Sequence, residues 1–193
     1  MKRKKAFCLS LTLLLLITLL PVPASAAHYY YETNGNKIVD PITFTANNQF
    51  TASSRSHMSQ AVAKWNSAAG TTLMSMSSST HSSTSGYPSR DGKPYVYRIN
   101  VGSGYVAQCR SYRNLFGYLY EADININVYY KYANSAQPGC YDLYSVFLHE
   151  TGHAAGLADL ESPSYPVMYG YSSTNTTKRN LTTDDIAGIL SIY

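Results

Sequence analysis

The hydrophobic positions of this 193-residue chain recur with two different periods along its length. In residues 53–69 the apolar side chains return every three or four positions, which predicts an amphipathic helix. In residues 121–128, Ile124, Ile126 and Val128 alternate with polar residues, which predicts a half-buried strand. The same reasoning predicts strands at residues 38–44, 73–77 and 95–101, and an exposed loop in the Ser-, Thr- and Gly-rich residues 75–89.

The C-terminal third predicts two further helices separated by an irregular stretch. Asp142 is the expected N-cap of the first helix, and Thr182 or Thr183 is the expected N-cap of the second. Pro163 and Pro166 keep the residues between them irregular. The apolar positions of the two helices are Leu143, Val146, Phe147 and Ala154, expected to face the core, and then Ile186, Ile189 and Leu190. With no internal repeat, these elements predict one α+β domain.

Residues 149–159 carry the strongest chemical signal in the chain and read HETGHAAGLAD. On a helix, His149 and His153 lie one turn apart on the same face, so both rings reach a single ion at about 2.0 to 2.1 Å. Glu150 falls beside the pair, where its carboxylate deprotonates a water that the ion polarises. The pattern therefore predicts a catalytic zinc centre suited to amide hydrolysis.

The second half of this motif predicts how a third ligand arrives. The helix is expected to end at Gly156, because a residue without Cβ adopts the left-handed conformation that turns the backbone. Asp159 then returns towards the ion as the third ligand. Three protein ligands leave one position open to water or substrate, which distinguishes a catalytic zinc from a closed structural one.

Two segments downstream make the pattern specific to a family. PVMYGY at residues 166–171 places Met168 in a tight turn, and the chain ends LTTDDIAGILSIY. With HExxHxxGxxD, these segments resemble the metzincin clan of zinc endopeptidases, and within it the matrixins. They also resemble small secreted bacterial proteases related to snapalysin, whose third ligand is likewise Asp. AVAKWNSAAGTTL (residues 61–73) and EADININV (residues 121–128) are similar to matrixin segments, so the resemblance covers most of the chain from Ala61 onward.

The resemblance implies a fold and a ligand set. The fold is a metzincin-like zincin fold: a twisted, mostly parallel sheet with an antiparallel edge strand, an active-site helix, the methionine turn and a C-terminal helix. The resemblance further implies one catalytic zinc ion, Zn²⁺, held by His149, His153 and Asp159. Glu150 would be the general base towards the attacking water.

Three residues after the active-site helix would support this centre. Met168 is either an ordinary core methionine or the hydrophobic floor beneath the ligands, and its role in both interpretations is packing. By resemblance to matrixins, Tyr169 and Tyr171 would shape the wall of the S1′ pocket. Tyr171 is also a less favoured candidate for stabilising the oxyanion.

The chain departs from the matrixin pattern at several points. Asp159 stands where matrixins have a third His, and no PRCGxPD cysteine switch precedes the domain, so thiol-based latency is not expected. The cluster that holds a structural zinc in matrixins has no counterpart, and acidic loop residues for structural calcium do not line up. His28, His57 and His81 are interpreted as solvent histidines rather than a second metal site.

Residues 1–26 are interpreted as an export signal, because a basic start and an apolar run precede the small residues Ala24, Ser25 and Ala26. The apolar run is short for a membrane span of about 20 residues. Residues 27–193 then form a single catalytic domain with 11 basic and 11 acidic side chains. This balance predicts no nucleic-acid face, and the mature protein is expected to be an extracellular monomer without a membrane anchor.

Two cysteines follow the export signal, Cys109 and Cys140. In an oxidising compartment an even pair predicts a disulfide, with two free buried thiols as the alternative. Closing a loop of about thirty residues stabilises a fold by roughly 3 to 4 kcal/mol in the chain-entropy model. The disulfide would tie the central strands to the segment that enters the active-site helix.

Together these observations predict a secreted endopeptidase with protein or peptide substrates. The substrate is expected to lie extended along an edge strand within residues 116–121, where main-chain hydrogen bonds set its register. Two alternatives stay open: a catalytically silent zinc-binding module with extracellular protein or cell-wall partners, and a zinc-stabilised structural protein. The intact Glu150 argues against the first, and a site with three evident ligands argues against the second.

Overall fold

In the computed structural model, which describes residues 37–84 and 90–193, a five-stranded sheet packs against helices. The predicted export signal and His28 lie outside the described residues. The sheet consists of β1 (Ile42–Asn47), β2 (Met74–His81), β3 (Tyr95–Ile99), β4 (Ala107–Arg113) and β5 (Leu119–Asn127). The other elements are the helices α1 (Ala52–Ala69), α2 (Leu143–Ala154) and α3 (Thr183–Ile192), and the short parallel pair β6 (Tyr132–Ala133) and β7 (Tyr141–Asp142).

The sheet is mixed, and its strand order is β2-β1-β3-β5-β4. Strands β1, β2, β3 and β5 run parallel, whereas β4 pairs antiparallel with β5 and forms one edge. The predicted α+β class, and the mostly parallel sheet with an antiparallel edge strand, are therefore confirmed. None of the helices within the described residues has the length and hydropathy needed to span a bilayer.

The helix α1 follows its predicted pattern closely. It begins one residue before the predicted start, with the Thr51 side chain as N-cap, and ends at Gly70 in the left-handed conformation with φ of 68°. The Trp65 indole Nε1 donates a hydrogen bond of 2.8 Å to the carbonyl of Leu148. Because Trp65 is fully buried, this bond fixes α1 against the helix that carries the HExxH motif.

The strand β5 is buried on both faces, although its alternation predicts a half-buried strand. Ala122, Ile124 and Ile126 belong to the apolar core. The polar side chains of the opposite face accept backbone N–H bonds from the loops that cross it: Glu121 from Asp91 and Gly92, Asp123 from Tyr95, and Asn127 from Val101 and Tyr129. These backbone groups therefore satisfy Glu121 and Asn127, whereas the buried side-chain oxygen of Asn125 has no hydrogen-bond partner among the described residues.

The predicted loop at residues 75–89 is wrong for its first part, because β2 continues to His81 through parallel pairing with β1. The polar side chains of this edge strand disguise it in the sequence. His81 is also not a solvent residue: it is 9% exposed and its ring stacks on Tyr95 at a centroid distance of 4.0 Å. The imidazole Nε2 lies 3.1 Å from the Val96 carbonyl, which links β2 to β3.

The edge strand predicted to bind substrate at residues 116–121 is misplaced. The antiparallel edge strand is β4 (Ala107–Arg113), which lies earlier in the chain. Residues 114–118 form the turn between β4 and β5, and residues 119–121 belong to β5. The Asn114 side-chain oxygen accepts hydrogen bonds from the backbone of Phe116 and Tyr118 at 2.9 and 3.1 Å, and Gly117 has φ of 84°. An Asn that bonds its own downstream backbone favours a turn over a strand, so residues 116–121 do not form a substrate-binding edge.

The predicted disulfide between Cys109 and Cys140 is wrong, because both cysteines are free thiols. Cys109 lines the cavity that contains His149, with its sulfur 3.8 Å from the Ser111 hydroxyl. Cys140 lines a different cavity beside Leu143. The two thiols therefore open onto separate spaces. Burial, reinforced by the Glu150 carboxylate, raises the pKa of the Cys109 thiol.

Candidate active site

The helix α2 begins at Asp142, as predicted, and a distant arginine fixes this start. Asp142 Oδ2 accepts hydrogen bonds from the Ser145 backbone and hydroxyl at 3.1 and 2.6 Å, and from Arg179 Nε at 2.9 Å. Burial alone would raise the pKa of the Asp142 carboxyl, but the bonds from Arg179 and Ser145 hold it below its usual value. The position of α2 therefore depends on an ion pair that the sequence pattern did not indicate.

The same helix ends in a Schellman motif around Gly156. The Gly156 N–H donates to the His153 carbonyl at 2.9 Å, and the Leu157 N–H donates to the Gly152 carbonyl at 3.0 Å. Gly156 has φ of 102°, which confirms the predicted left-handed conformation. The chain reverses at this point and brings Asp159 back over the helix.

Three donor atoms converge where the chain returns. The Nε2 atoms of His149 and His153 are 3.0 Å apart, and Asp159 Oδ1 lies 3.2 Å from the first and 3.5 Å from the second. Ligands of a tetrahedral zinc with bonds of about 2.0 to 2.1 Å stand roughly 3.3 to 3.4 Å apart. The triangle therefore has the size that one zinc ion requires. The Asp159 side chain is 57% exposed, so the site is open to solvent.

The orientation of the two imidazoles also fits a cation. His149 Nδ1 lies 2.8 Å from the Val167 carbonyl and His153 Nδ1 lies 2.8 Å from the Leu157 carbonyl. Each carbonyl can only accept a hydrogen bond, so each ring carries its hydrogen on Nδ1 and presents a lone pair at Nε2. Two lone pairs at 3.0 Å repel each other unless a positive charge lies between them. This donor set therefore suits a metal ion.

The carboxylate of Glu150 lies beside the two histidines in the same cavity and is 5% exposed. Burial raises the pKa of this carboxyl, while the adjacent histidines and a hydrogen bond from the Cys109 backbone oppose the rise. Burial lowers the pKa of His153, but the Asp159 carboxylate beside the ring and the charge of Glu150 together raise it above its usual value. The cavity therefore favours positive charge at its centre and holds a base within reach of it.

Met168 and Gly152 are packed directly against each other beneath the histidines. Met168 is 2% exposed, and a Cβ on Gly152 would lie 2.2 Å from its sulfur and 2.9 Å from Trp65 Cζ2. The glycine inside the HETGH segment thus makes room for both side chains. Sequence reasoning singled out Met168 but missed Gly152, because nothing local indicates which neighbour a helical glycine accommodates.

The methionine turn is held in place from α3. Asp185 is 1% exposed, and its two carboxylate oxygens accept the N–H groups of Val167 and Met168 at 3.0 and 3.1 Å. The same carboxylate forms a capping box with Thr182 at the start of α3. Since the Val167 carbonyl orients His149, Asp185 is connected to the donor triangle through one peptide unit. The sequence motifs did not indicate this role of Asp185.

A cleft of about 640 Å³ contains the donor triangle. Residues 104–109, which include the start of β4, line it together with residues 170–172. Tyr171 is 70% exposed and lines the cleft, whereas Tyr169 and Tyr171 both line a small adjoining cavity of about 30 Å³ with His149 and Val146. Both tyrosines predicted from the sequence thus lie next to the site.

Gly170 completes the contacts of the third donor. A Cβ on this glycine would lie 3.1 Å from the Cγ and Oδ1 atoms of Asp159. The backbone of residue 170 therefore limits where the carboxylate can go. A glycine within PVMYGY offers no local sign of this contact.

Comparison with known proteins identifies the family of this chain. The model of the matrixin family, Peptidase_M10, matches residues 25–193. The chain belongs to the matrixin family of zinc metalloendopeptidases, which confirms the resemblance drawn from the motifs. A stretch of 52 residues is 46% identical to metalloendoproteinase 1-MMP of Arabidopsis thaliana, and it covers 27% of this chain and 14% of the plant protein.

Two solved structures are similar at low sequence identity. High choriolytic enzyme 1, a hatching enzyme zinc-protease from the medaka fish Oryzias latipes, is 12% identical with a TM-score of 0.41, covering 86% of this chain and 94% of that chain. Metalloproteinase-II from Bacteroides fragilis is 15% identical with a TM-score of 0.44, covering 88% of this chain and 55% of that chain.

Proposed function

We propose that the protein is a secreted zinc-dependent endopeptidase whose single catalytic ion is held by His149, His153 and Asp159. One observation carries the proposal: the three donor atoms converge next to a buried glutamate, in a cleft with an edge strand on one side. Family membership implies zinc, and two imidazoles with one carboxylate are a donor set that zinc accepts. The solvent-facing side of the triangle leaves room for water and substrate.

Glu150 is the proton carrier in this proposal. When bound, zinc supplies Lewis acidity that acidifies a water ligand and polarises the carbonyl of the scissile peptide. The Glu150 carboxylate accepts a proton from the attacking water while the water oxygen bonds to the carbonyl carbon. It then donates this proton to the leaving nitrogen when the C–N bond breaks.

The substrate lies extended along β4 in this proposal, since β4 is the sheet edge that borders the cleft. A peptide placed there forms main-chain hydrogen bonds to residues 104–109 and passes over the donor triangle. Tyr169 and Tyr171 form the wall of the pocket for the side chain that follows the scissile bond.

Export and the class of partner complete the proposal. The basic and apolar residues of segment 1–26 support cleavage by a signal peptidase and release from the cell. The equal numbers of basic and acidic side chains in the remaining chain support a partner that is a protein or peptide, not a nucleic acid.

Replacing Glu150 with Gln tests the mechanism while keeping the shape of the side chain. We expect zinc content to be unchanged and cleavage of casein or a quenched peptide library to fall by at least about a hundredfold. The matched control is Glu161→Gln, which makes the same change at an exposed residue after the third donor and is expected to retain activity.

The same assay separates the alternatives. Chelator-sensitive cleavage by the wild type supports the endopeptidase. Zinc binding without cleavage under all conditions favours a silent module with extracellular or cell-wall partners. Near wild-type cleavage by the Glu150→Gln variant would remove Glu150 from the mechanism.

A further inference from the structure

A second cavity, of about 520 Å³, lies next to the catalytic cleft and has no part in the proposed reaction. Tyr132 lines this cavity, and its hydroxyl donates a hydrogen bond of 2.6 Å to the carbonyl of Val106. Val106 lines the catalytic cleft. The Tyr132 side chain therefore connects the two spaces. The volume is within the range of about 300 to 1,000 Å³ typical of small-molecule sites.

The walls of this cavity combine an apolar surface with positive charge. Phe50, Ile126 and Leu143 are core residues that line it. The two charged residues among its described lining are Arg98 and Lys131, and none of the described lining residues carries a carboxylate. A ligand that matches these walls has an apolar body and a negative group.

Arg98 is held in position at the wall of this cavity. Its Nη1 donates to the Gln49 carbonyl at 3.0 Å, and its guanidinium lies 5.3 Å from the centre of the Phe50 ring. Within the described part of the chain, the buried Nε of Arg98 has no hydrogen-bond partner. This Nε is shielded from the cavity, so an incoming anion would accept from the outer nitrogens of the guanidinium, in a charge-assisted hydrogen bond.

We propose that this cavity binds a carboxylate attached to an apolar chain, with Arg98 and Lys131 contacting the carboxylate and the apolar chain packing on Ile126 and Leu143. Carboxylate is the group we favour because the planar guanidinium fork matches its two oxygens. Fatty acids and the carboxyl termini of hydrophobic peptides share this chemistry. The inference is separate from the proposed peptidase reaction, since binding here requires no turnover.

The occupied cavity is expected to affect the catalytic cleft through two tyrosines. The Tyr130 hydroxyl lies 3.1 Å from the carbonyl of Ser103 and 3.2 Å from that of Gly104, and Tyr132 bonds Val106. Both tyrosines line the second cavity, and Gly104 and Val106 line the cleft. A ligand packed against the rings therefore restricts the segment that borders the substrate path, and it is expected to change KM.

Calorimetric titration of the purified protein tests binding directly. One arm compares decanoate with decanol, and the other compares N-acetyl-Leu-Phe as the free acid with its amide. We expect the acids to bind with a dissociation constant at least about tenfold lower than that of their neutral analogues. The same loss is expected for the acids in Lys131→Glu and Arg98→Met, and no change in the control Lys64→Met, a half-buried lysine on α1 that does not line this cavity.

The outcomes separate the sources and the site. Binding of decanoate, of the peptide acid or of both supports the carboxylate site and identifies which source it accepts. Equal binding of acids and neutral analogues, or unchanged binding in Lys131→Glu, would overturn the proposal. Lys131→Glu is informative even if Arg98→Met does not fold, since the Lys131 side chain is exposed.

A kinetic measurement tests the connection between the two cavities. We expect decanoate to change KM for a quenched peptide in the wild type and to leave it unchanged in Lys131→Glu. An effect on KM that persists in this variant would place the acid in the catalytic cleft and refute an effector role.

Discussion

The substitution Gly152→Ala adds one methyl group where the helix α2 meets the methionine turn. Its Cβ would lie 2.2 Å from Met168 Sδ, 3.1 Å from Met168 Cε and 2.9 Å from Trp65 Cζ2. Non-bonded heavy atoms are in favourable contact at about 3.5 to 4.0 Å, so the sulfur must move by more than about 1 Å. Met168 and Trp65 are buried, which leaves little space for this movement.

Two opposing effects determine the size of the change. Alanine favours a helix interior over glycine by about 1 kcal/mol, whereas overpacking a well-packed core costs about 1 to 3 kcal/mol. The overlap involves two buried partners, so its cost is expected at the upper end, and the free energy of unfolding should fall by about 2 kcal/mol. Displacement of Met168 also shifts the adjacent Val167 carbonyl, so zinc affinity should weaken as His149 loses its orientation.

Urea unfolding of the chelated protein measures the packing effect without the metal, and a competition assay with a zinc chelator measures affinity. The double variant Gly152→Ala, Met168→Ala is the matched control, because it removes the sulfur that the new methyl group overlaps. We expect the double variant to be more stable, by at least about 1 kcal/mol, than the sum of the two single substitutions predicts. Additive effects, or a Gly152→Ala variant as stable as the wild type, would refute the packing argument.

Three further predictions concern the turn, the C-terminal helix and a buried histidine. Gly156→Val should lower the free energy of unfolding by about 1 to 3 kcal/mol and weaken zinc affinity, because Gly156 has a positive φ. Gly104→Val, with open space around its Cβ, should lower it less, and denaturant unfolding of both variants checks this. Asp185→Asn should destabilise the protein by about 2 kcal/mol and weaken zinc binding, since the carboxylate accepts hydrogen bonds from two N–H groups of the methionine turn. Equal effects of Asp184→Asn would contradict this reasoning. Burial lowers the pKa of His81 below the usual 6.5, so its contribution to stability is present above about pH 6.5 and is lost as the pH falls through the folded-state pKa. In unfolding experiments, His81→Gln should reduce this loss of stability at acid pH, and an unchanged pH profile would show that another group is responsible.

The donor triangle was predictable because its geometry is local. Helical spacing sets the distance between His149 and His153, and a glycine after the helix is a strong stop signal. Asp159 follows within one turn of irregular chain. The amphipathic pattern of α1 and the alternation of β5 were also readable, because each reflects one face of an element packed against the core.

The supporting contacts of the site were not predictable, because they join residues far apart in sequence. The T-x-x-D pattern of Thr182 and Asp185 indicates a helix cap, yet nothing local shows that the same carboxylate also accepts from the methionine turn. The disulfide was predicted wrongly for the same reason, since pairing depends on where strands and loops place Cys109 and Cys140. The edge strand was misplaced because AQCRSYR lacks a clear apolar face.

Both histidines of the donor triangle are oriented by main-chain carbonyls, those of Leu157 and Val167. A carbonyl is present whatever the side chain, so substitutions at these two positions are constrained by core packing and not by the tautomer of the imidazole. These carbonyls also have no proton to lose or gain, so the orientation of the rings is independent of pH wherever the fold is intact. Variation among related chains at positions 157 and 167 is therefore compatible with a conserved metal geometry, provided that the backbone path is kept.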